Sequence, residues 1–314
     1  VPGAGHGSGE VNVEFRQAEH FLAVIEHGSL VRASSALHLA QPSLSQSIQT
    51  LERDLGAPLF HRVGRGLVPT AVGSALVAPA RQLLRDVATA QASVAEFSGL
   101  HGGHVDIGTT AGLYESRVPA LVGELRRTYR SVSVRIREYS SEAAVAAAVR
   151  DGSVELGFGF VDPETDDHDL ETHSLGSEEL CIALPRRIAE EVPDPLPFDQ
   201  VPDLPVIAVT GGAQGRVAVE GALRRSARRT AIGVVTEHRQ ATIPLVAAGA
   251  GIAWTSQAVV DNIDSSEVVA RSMQPPLVLG VAVMHRPGML SPAARALLET
   301  ALRGVEHVDS EGAS

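Results

Sequence analysis

Lysine is absent from this 314-residue sequence: all 26 of its basic residues are arginine. Any phosphate contact must therefore come from a guanidinium, a polar side chain or a backbone N–H. Cysteine is almost absent too. Cys181 stands alone, so the chain can form neither an internal disulfide nor a cysteine metal cluster, and a reducing, cytoplasmic setting is expected. Within the strand-like LCIALP it reads as a small buried hydrophobe rather than a redox sensor. No run of eighteen apolar residues occurs, and no membrane span or membrane partner is expected. The first ten residues, VPGAGHGSGE, lack a basic end followed by an apolar run, and read as a flexible tail or cloning remnant rather than a signal peptide.

Catalytic signatures are missing as well. There is no G-x-S-x-G, H-E-x-x-H, P-loop or dinucleotide fingerprint, and the glycines of GAGIAW do not open a cofactor helix. The adjacent acids Asp166 and Asp167 fall in a charged, loop-like stretch. The twelve histidines form no ligand spacing with the cysteine. Neither enzyme activity, nor a metal, nor a cofactor is expected.

What is present is enough apolar residue, 44% of the chain, for a sizeable core in two or three compact units. The net charge of −11 is unevenly spread. Residues 1–100 carry 7 Arg against 8 acidic residues, while the rest of the chain carries 19 Arg against 29. The acidity sits behind the first hundred residues, so it does not exclude a nucleic-acid-binding head.

That head is written in residues 15–70. Ala18, Phe21, Leu22 and Ile25 share one helical face, Gly28 ends that helix, and Ser29 suits the cap of a second helix reaching about Leu39. Ala40-Gln41-Pro42 opens a third, with proline in the first turn where its missing N–H costs nothing. Leu44, Ile48, Leu51 and Leu55 face inward from it; Ser43, Gln46, Gln49, Thr50 and Arg53 face outward. Three short helices with a tight break before the last make a helix-turn-helix. The residue types fit the major groove. Gln46 can pair bidentately with an adenine edge, and Ser43 and Ser45 can reach bases or phosphates. A plain three-helix bundle would explain the apolar stripe equally well. LFHRVGRGLVPT then reads as a hairpin wing with Arg65 at its tip and Arg62 beside it, suited to a minor groove and a phosphate.

A long helix over about 71–98 follows, capped by Thr70. Val72, Leu76, Leu83, Val87, Ala90, Val94 and Phe97 recur at helical spacing, and Pro79 interrupts them. At ~40 Å it needs a partner for its apolar face. That partner is either the rest of its own chain or a second copy.

Past a hinge at His101–His104, strands and helices alternate: strands at 105–109, 132–138 and 154–160 with helices near 115–128 and 141–151, then a second set. The second set starts at Glu179–Leu184 and continues with strands at 203–209, 232–237 and 251–255 and helices near 215–228 and 240–249. Strand 278–285 and helix 292–303 close the chain. Such alternation predicts parallel sheets covered on both faces. Ligands in these folds sit past the carboxyl ends of strands. Thr109, Thr110, Ser140, Ser141, Thr210, Gly211 and His238 occupy such places, although hydroxyls there also cap helices.

The run FLAVIEHGSLVRASSALHLAQPSLSQSIQTLERDLGAPLFHR with the following GRGLVPTAVG resembles the winged head of the LysR-type transcriptional regulators, and VAAGAGIAW in residues 246–254 resembles their effector domain. The resemblance spans nearly all of residues 12–303. It implies an α/β protein in three parts. The first is an all-α winged helix-turn-helix at 12–70, whose recognition helix 41–54 contacts double-stranded DNA through Gln41, Pro42, Ser43, Ser45 and Gln46, with Arg62 and Arg65 at the wing. The second is a linker and dimerisation helix at 71–98. The third is a two-lobed domain at 104–303, like a periplasmic binding protein, with lobe one at about 104–175 and 274–303 and lobe two at about 176–273. Many relatives have arginine where this chain has Gln46. The implied partners are DNA, a small-molecule effector such as a carboxylate, further copies of the chain as homodimer or homotetramer, and RNA polymerase as a candidate. The rival readings are a constitutive DNA binder whose rear domain is only an assembly scaffold, and a solute-binding protein, which would leave the head unused.

Overall fold

The computed structural model describes residues 13–64, 66–97, 102–161, 169–209, 221, 231–262 and 266–311. The chain divides into two compact units, Val1–Ser93 and Val94–Ser314.

The first unit begins with α1 (Phe15–His27), α2 (Leu30–Ala36) and α3 (Gln41–Leu55). Glu14 and Gln17 exchange side-chain and backbone bonds as a capping box on α1, and Gly28 closes that helix at φ 63°. Ser29 caps α2 by accepting from the Arg32 N–H. α2 stops at Ala36, earlier than its sequence pattern suggests. His38 turns the chain with φ 53°, and the N–H groups of His38 and Leu39 fold back onto the Ser35 and Ser34 carbonyls. Phe21, Val24, Leu44, Leu51 and Leu59 are fully buried in one core, with the Phe21 and Phe60 rings 5.5 Å apart. β1 (Phe60–Val63) and β2 (Gly66–Pro69) pair antiparallel as the wing. Its base is tied down at three points. The Leu59 N–H donates to the Glu52 carboxylate, Leu67 N–H to the Gly28 carbonyl, and Thr70 hydroxyl to the Pro58 carbonyl.

α4 (Ala71–Phe97) runs 27 residues with Pro79 inside it and exposed. Thr70 accepts from the Gly73 N–H at its start. Gly73 is required for the close approach: a Cβ there would lie 2.2 Å from the Leu59 carbonyl oxygen. Ala80 is buried in the head core, and Leu76, Val77, Leu83 and Leu84 pack against it. Part of the apolar stripe of α4 is therefore spent on its own head. Val72 and Val94 remain exposed.

The second unit holds a seven-stranded sheet in the order β10-β6-β13-β5-β3-β4, with β11 also on β6. Its strands are β3 (Gly102–Thr110), β4 (Ser131–Tyr139), β5 (Leu156–Val161), β6 (Glu171–Pro185), β10 (Ala253–Ser256), β11 (Val268–Arg271) and β13 (Leu277–His285). β3 pairs parallel with β4 and β5, but β13 runs antiparallel to β5 and β6, and β10 and β11 antiparallel to β6. The wholly parallel sheets that the alternation predicts are thus replaced by one mixed, curled sheet. The reason is topological. The chain leaves the first lobe along β6 and returns along β13, and two crossings in opposite senses must be antiparallel. β6 is also far longer than the expected Glu179–Leu184, because its first half, ETHSLGSE, is polar and largely exposed and carries no apolar signal.

Helices α5 (Ala111–Glu115), α6 (Val118–Thr128), α7 (Glu142–Arg150) and α11 (Pro292–Glu311) flank this sheet. The helix expected near 115–128 is α6, which begins at Val118, and the short α5 precedes it. Gly102, Gly103 and His104 belong to β3 rather than to a hinge. A Cβ on Gly103 would meet Ala293 of α11 at 3.2 Å, so that glycine serves close helix packing. The other lobe adds α8 (Arg186–Ala189), β7 (Leu196–Pro197), a parallel pair of β8 (Val206–Val209) and β9 (Ile232–Thr236), α9 (Thr242–Ala247), α10 (Gln257–Asp261) and β12 (Met273–Gln274). Its own core gathers Ile207, Ile243, Val246, Ala253 and Val268. The helix expected near 215–228, the acids Asp166 and Asp167, and His101 lie outside the described residues, apart from residue 221. None of the described helices is long and apolar enough to cross a membrane.

Candidate nucleic-acid interface and effector site

α3 sorts its residues by solvent. Leu44, Ile48 and Leu51 are sealed into the head, while Gln41, Pro42, Ser43, Gln46, Gln49 and Arg53 are exposed and Ser45 and Thr50 half-buried. Pro42 sits in the first turn. The outer face thus offers three amide groups, Gln41 in the first turn and Gln46 and Gln49 one turn apart further along, with a hydroxyl and a guanidinium. This is a set of donors and acceptors suited to base edges and phosphates. Arg62 is exposed on β1; Arg65 lies outside the described residues. Behind α3, His20 on α1 shares a 2.7 Å hydrogen bond with Ser47. Burial pushes the His20 imidazole below its usual pKa, against Glu19, which raises it, and with Arg16, which lowers it.

In the second unit, β3 ends on Thr109 and Thr110, both buried. The Thr109 hydroxyl donates to the Thr110 carbonyl at 3.3 Å, but the Thr110 hydroxyl, buried at the start of α5, has no partner among the described residues. Across in the other lobe, the Ser256 hydroxyl at the start of α10, the Thr242 hydroxyl at the start of α9 and the Trp254 indole N–H are buried without partners in the same sense. Ser140 is exposed. Ser141 is half-buried, and its hydroxyl caps α7 by accepting from the Ala144 N–H. His238 is exposed, its backbone held in a turn by the Thr236 hydroxyl. Thr210 and Gly211 lie outside the described residues. Of the expected effector residues that are described, Thr109 and Thr110 are buried, and of these two Thr110 alone keeps an unpartnered hydroxyl.

Sequence reading missed the charged clasp between the lobes. Arg239, next to His238, donates to the Glu115 carboxylate of α5 at 3.1 Å. Burial raises the Glu115 pKa, and Arg239 pulls it back. Arg117 donates to the Leu175 and Ser177 carbonyls of β6, both at 2.6 Å, and Ser116 to the Glu178 carboxylate at 3.1 Å. These pairs join residues 58 or more positions apart, so no local pattern announces them. Cys181 is buried with its thiol donating to the Thr255 carbonyl, and burial pushes its pKa up to about 12, which makes it a poor nucleophile.

Comparison with known proteins gives the same picture in both units. Residues 15–74 match the bacterial regulatory helix-turn-helix family of lysR type, and residues 98–306 match the LysR substrate binding domain. The HTH-type transcriptional regulator TfdT of Cupriavidus pinatubonensis is 35% identical over 172 residues, covering 54% of this chain and 74% of TfdT. Among solved structures, full-length OxyR C199D from Pseudomonas aeruginosa superposes with a TM-score of 0.73 at 20% identity, covering 94% of this chain and 95% of that one. Full-length CbnR in complex with its target DNA follows at a TM-score of 0.66 and 21% identity, covering 93% of this chain and 100% of CbnR. With a helix-turn-helix in front, a curled two-lobed sheet behind and both halves matching, the chain belongs to the LysR family of transcriptional regulators, proteins that bind DNA in response to an effector.

Proposed function

We propose that this regulator reads double-stranded DNA with Gln41, Pro42, Ser43, Ser45, Gln46, Gln49, Thr50 and Arg53 of α3, and steadies the wing on the backbone with Arg62 and Arg65. The observation that carries this reading is the split of α3 into a sealed apolar face and an outer face of amides, hydroxyls and one guanidinium. Gln46 is the base reader, pairing with an adenine edge through its carbonyl and its amide N–H.

A small oxygen-rich molecule, of which a carboxylate is the simplest, is read by Thr109, Thr110, Ser140, Ser141, Thr210, Gly211 and His238. The unpartnered Thr110 hydroxyl supports the β3 end of that set most directly. The division into a head at 12–70, a linker at 71–98 and a sensor at 104–303, with lobe one at about 104–175 and 274–303 and lobe two at about 176–273, carries the signal. The assembly is a homodimer at least, or a tetramer built from two. The protein works in the cytoplasm, contacts RNA polymerase at its promoter, and catalyses no reaction.

Selection of bound duplexes from a random pool gives the operator. Gln46→Ala is then compared with the native chain on that site and on sites changed one base pair at a time. Gln46 as base reader predicts a loss of roughly 1–3 kcal/mol of discrimination, confined to one position. A uniform loss would assign Gln46 to the backbone, and no loss would remove it from the interface.

A further inference from the structure

Glu171, His173 and His285 are used by nothing described so far. Glu171 and His173 are alternate residues near the start of β6, so their side chains share one face of the sheet. His285 ends β13 directly opposite Glu171 in the antiparallel register and diagonal to His173. The two imidazole Nε2 atoms lie 3.0 Å apart, with the rings stacked at 5.2 Å. The Glu171 carboxylate reaches 3.6 Å from His285 Nε2. One ligand atom from each of the three residues falls within 4.8 Å of the others.

The orientation of His285 is fixed from behind. It is 4% exposed, and its Nδ1 lies 2.8 Å from the Arg286 carbonyl oxygen. A carbonyl only accepts, so Nδ1 carries a hydrogen there. In the neutral ring Nε2 therefore turns a lone pair toward His173 and the Glu171 carboxylate. A backbone carbonyl holding Nδ1–H while Nε2 faces outward is the arrangement that sets the tautomer of metal-bound histidine. Electron pairs from two imidazoles and a carboxylate converging on one point repel one another, and a cation between them turns that repulsion into bonding.

We propose that Glu171, His173 and His285 bind a divalent first-row transition metal ion. Two imidazoles favour such an ion over calcium or magnesium, which prefer oxygen alone. Three protein ligands leave a position for water or an oxygen ligand. The ion would join the first-lobe ends of β6 and β13, the two strands that cross between lobes. It would thus brace the crossover, independently of how the effector is read.

The test uses the full chain stripped with a chelator and titrated with Zn²⁺ against a chromophoric competitor. One Zn²⁺ per chain should bind, and the thermal unfolding of the sensor domain should move up with it. Glu171→Gln and His173→Gln, at side chains that are not fully buried, should each weaken binding at least about ten-fold and lose the thermal shift. His104→Gln should do neither, although His104 also faces a carboxylate, that of Asp106. Co²⁺ in the same site should give d–d bands without a thiolate charge-transfer band, since Cys181 is elsewhere. The proposal fails if the native chain takes up no stoichiometric Zn²⁺, which would leave a histidine pair bridged by a proton. It fails equally if both variants bind as the native chain does, or if His104→Gln is the variant that loses the ion.

Discussion

The head and the sensor domain are built from opposite kinds of contact. In the head, α1, α2, α3 and the wing follow one another within about fifty residues. Every cap that shapes them is local: Ser29 on Arg32, Gly28 at the end of α1, Thr70 on Gly73. In the sensor domain the decisive pairings are distant. β6 meets β13 across roughly a hundred residues, and Arg239 meets Glu115 across 124. A head made of neighbours can be rebuilt in many chains with little change, and its pattern stays legible. A sensor made of remote pairings can alter its ligand face by changing single residues that no local pattern constrains.

The largest expected effects test whether the two regions stand separately. Gly73→Ala in the head would set a Cβ 2.2 Å from the Leu59 carbonyl oxygen, and Gly251→Ala in the sensor one 2.1 Å from the Pro205 carbonyl oxygen. Each should cost its own unit about 3 kcal/mol through overpacking against backbone that cannot yield. Calorimetry should show each variant lowering one unfolding transition and sparing the other. A shift of both by either variant would mean that the units unfold as one.

Next comes assembly. Leu83 is a poor probe of the dimer because it packs partly against the head core. Val94, 69% exposed on α4, is the cleaner one. Val94→Asp should convert the native dimer to monomer by light scattering, since a carboxylate buried at an apolar seam is costly, while the head still melts as in the native chain. A native chain that is already monomeric at micromolar concentration would end the dimer reading.

Thr110→Val sharpens the reading of β3. A buried hydroxyl without a partner destabilises, so its removal should leave the sensor domain unchanged or stabilise it by up to about 1 kcal/mol in denaturant titration. A loss of stability would show that the hydroxyl is already satisfied within the fold and is not held in reserve for a ligand.

The smallest effect separates the regions by pH. His20 has its pKa lowered in the folded head, so the unfolded chain takes up the proton first. Its contribution to head stability is intact above the ordinary value of 6.5 and is lost as pH falls through it. Glu115 is the reverse. Its folded pKa is raised above 4.5, so its contribution to the sensor grows as pH falls toward that value and shrinks as pH rises. Mild acidification should therefore lower the head transition of the native chain relative to that of His20→Gln, and raise the sensor transition relative to that of Glu115→Gln. Parallel shifts in native and variant proteins would remove these two groups as the cause.

Most of the head is legible in the sequence. Leu44, Ile48 and Leu51 repeat at helical spacing, Pro42 and Gly28 mark the helix ends, and paired glycines mark the wing; these are local signals carried by neighbouring residues. The alternation of strands and helices also marked an α/β domain behind the head, but its two lobes were implied only by the family resemblance, and its mixed sheet was not legible. The rest depends on which distant residues meet in the fold. The apolar stripe of α4 could not say that Ala80 and Leu83 serve the head. The polar ETHSLGSE could not declare itself the first half of the strand that joins both lobes. The pairings of Glu115 with Arg239, and of Glu171 and His173 with His285, depend on which distant strands become neighbours. That choice is made by burying whole faces against one another, a nonlocal energy that leaves no periodic trace in the chain.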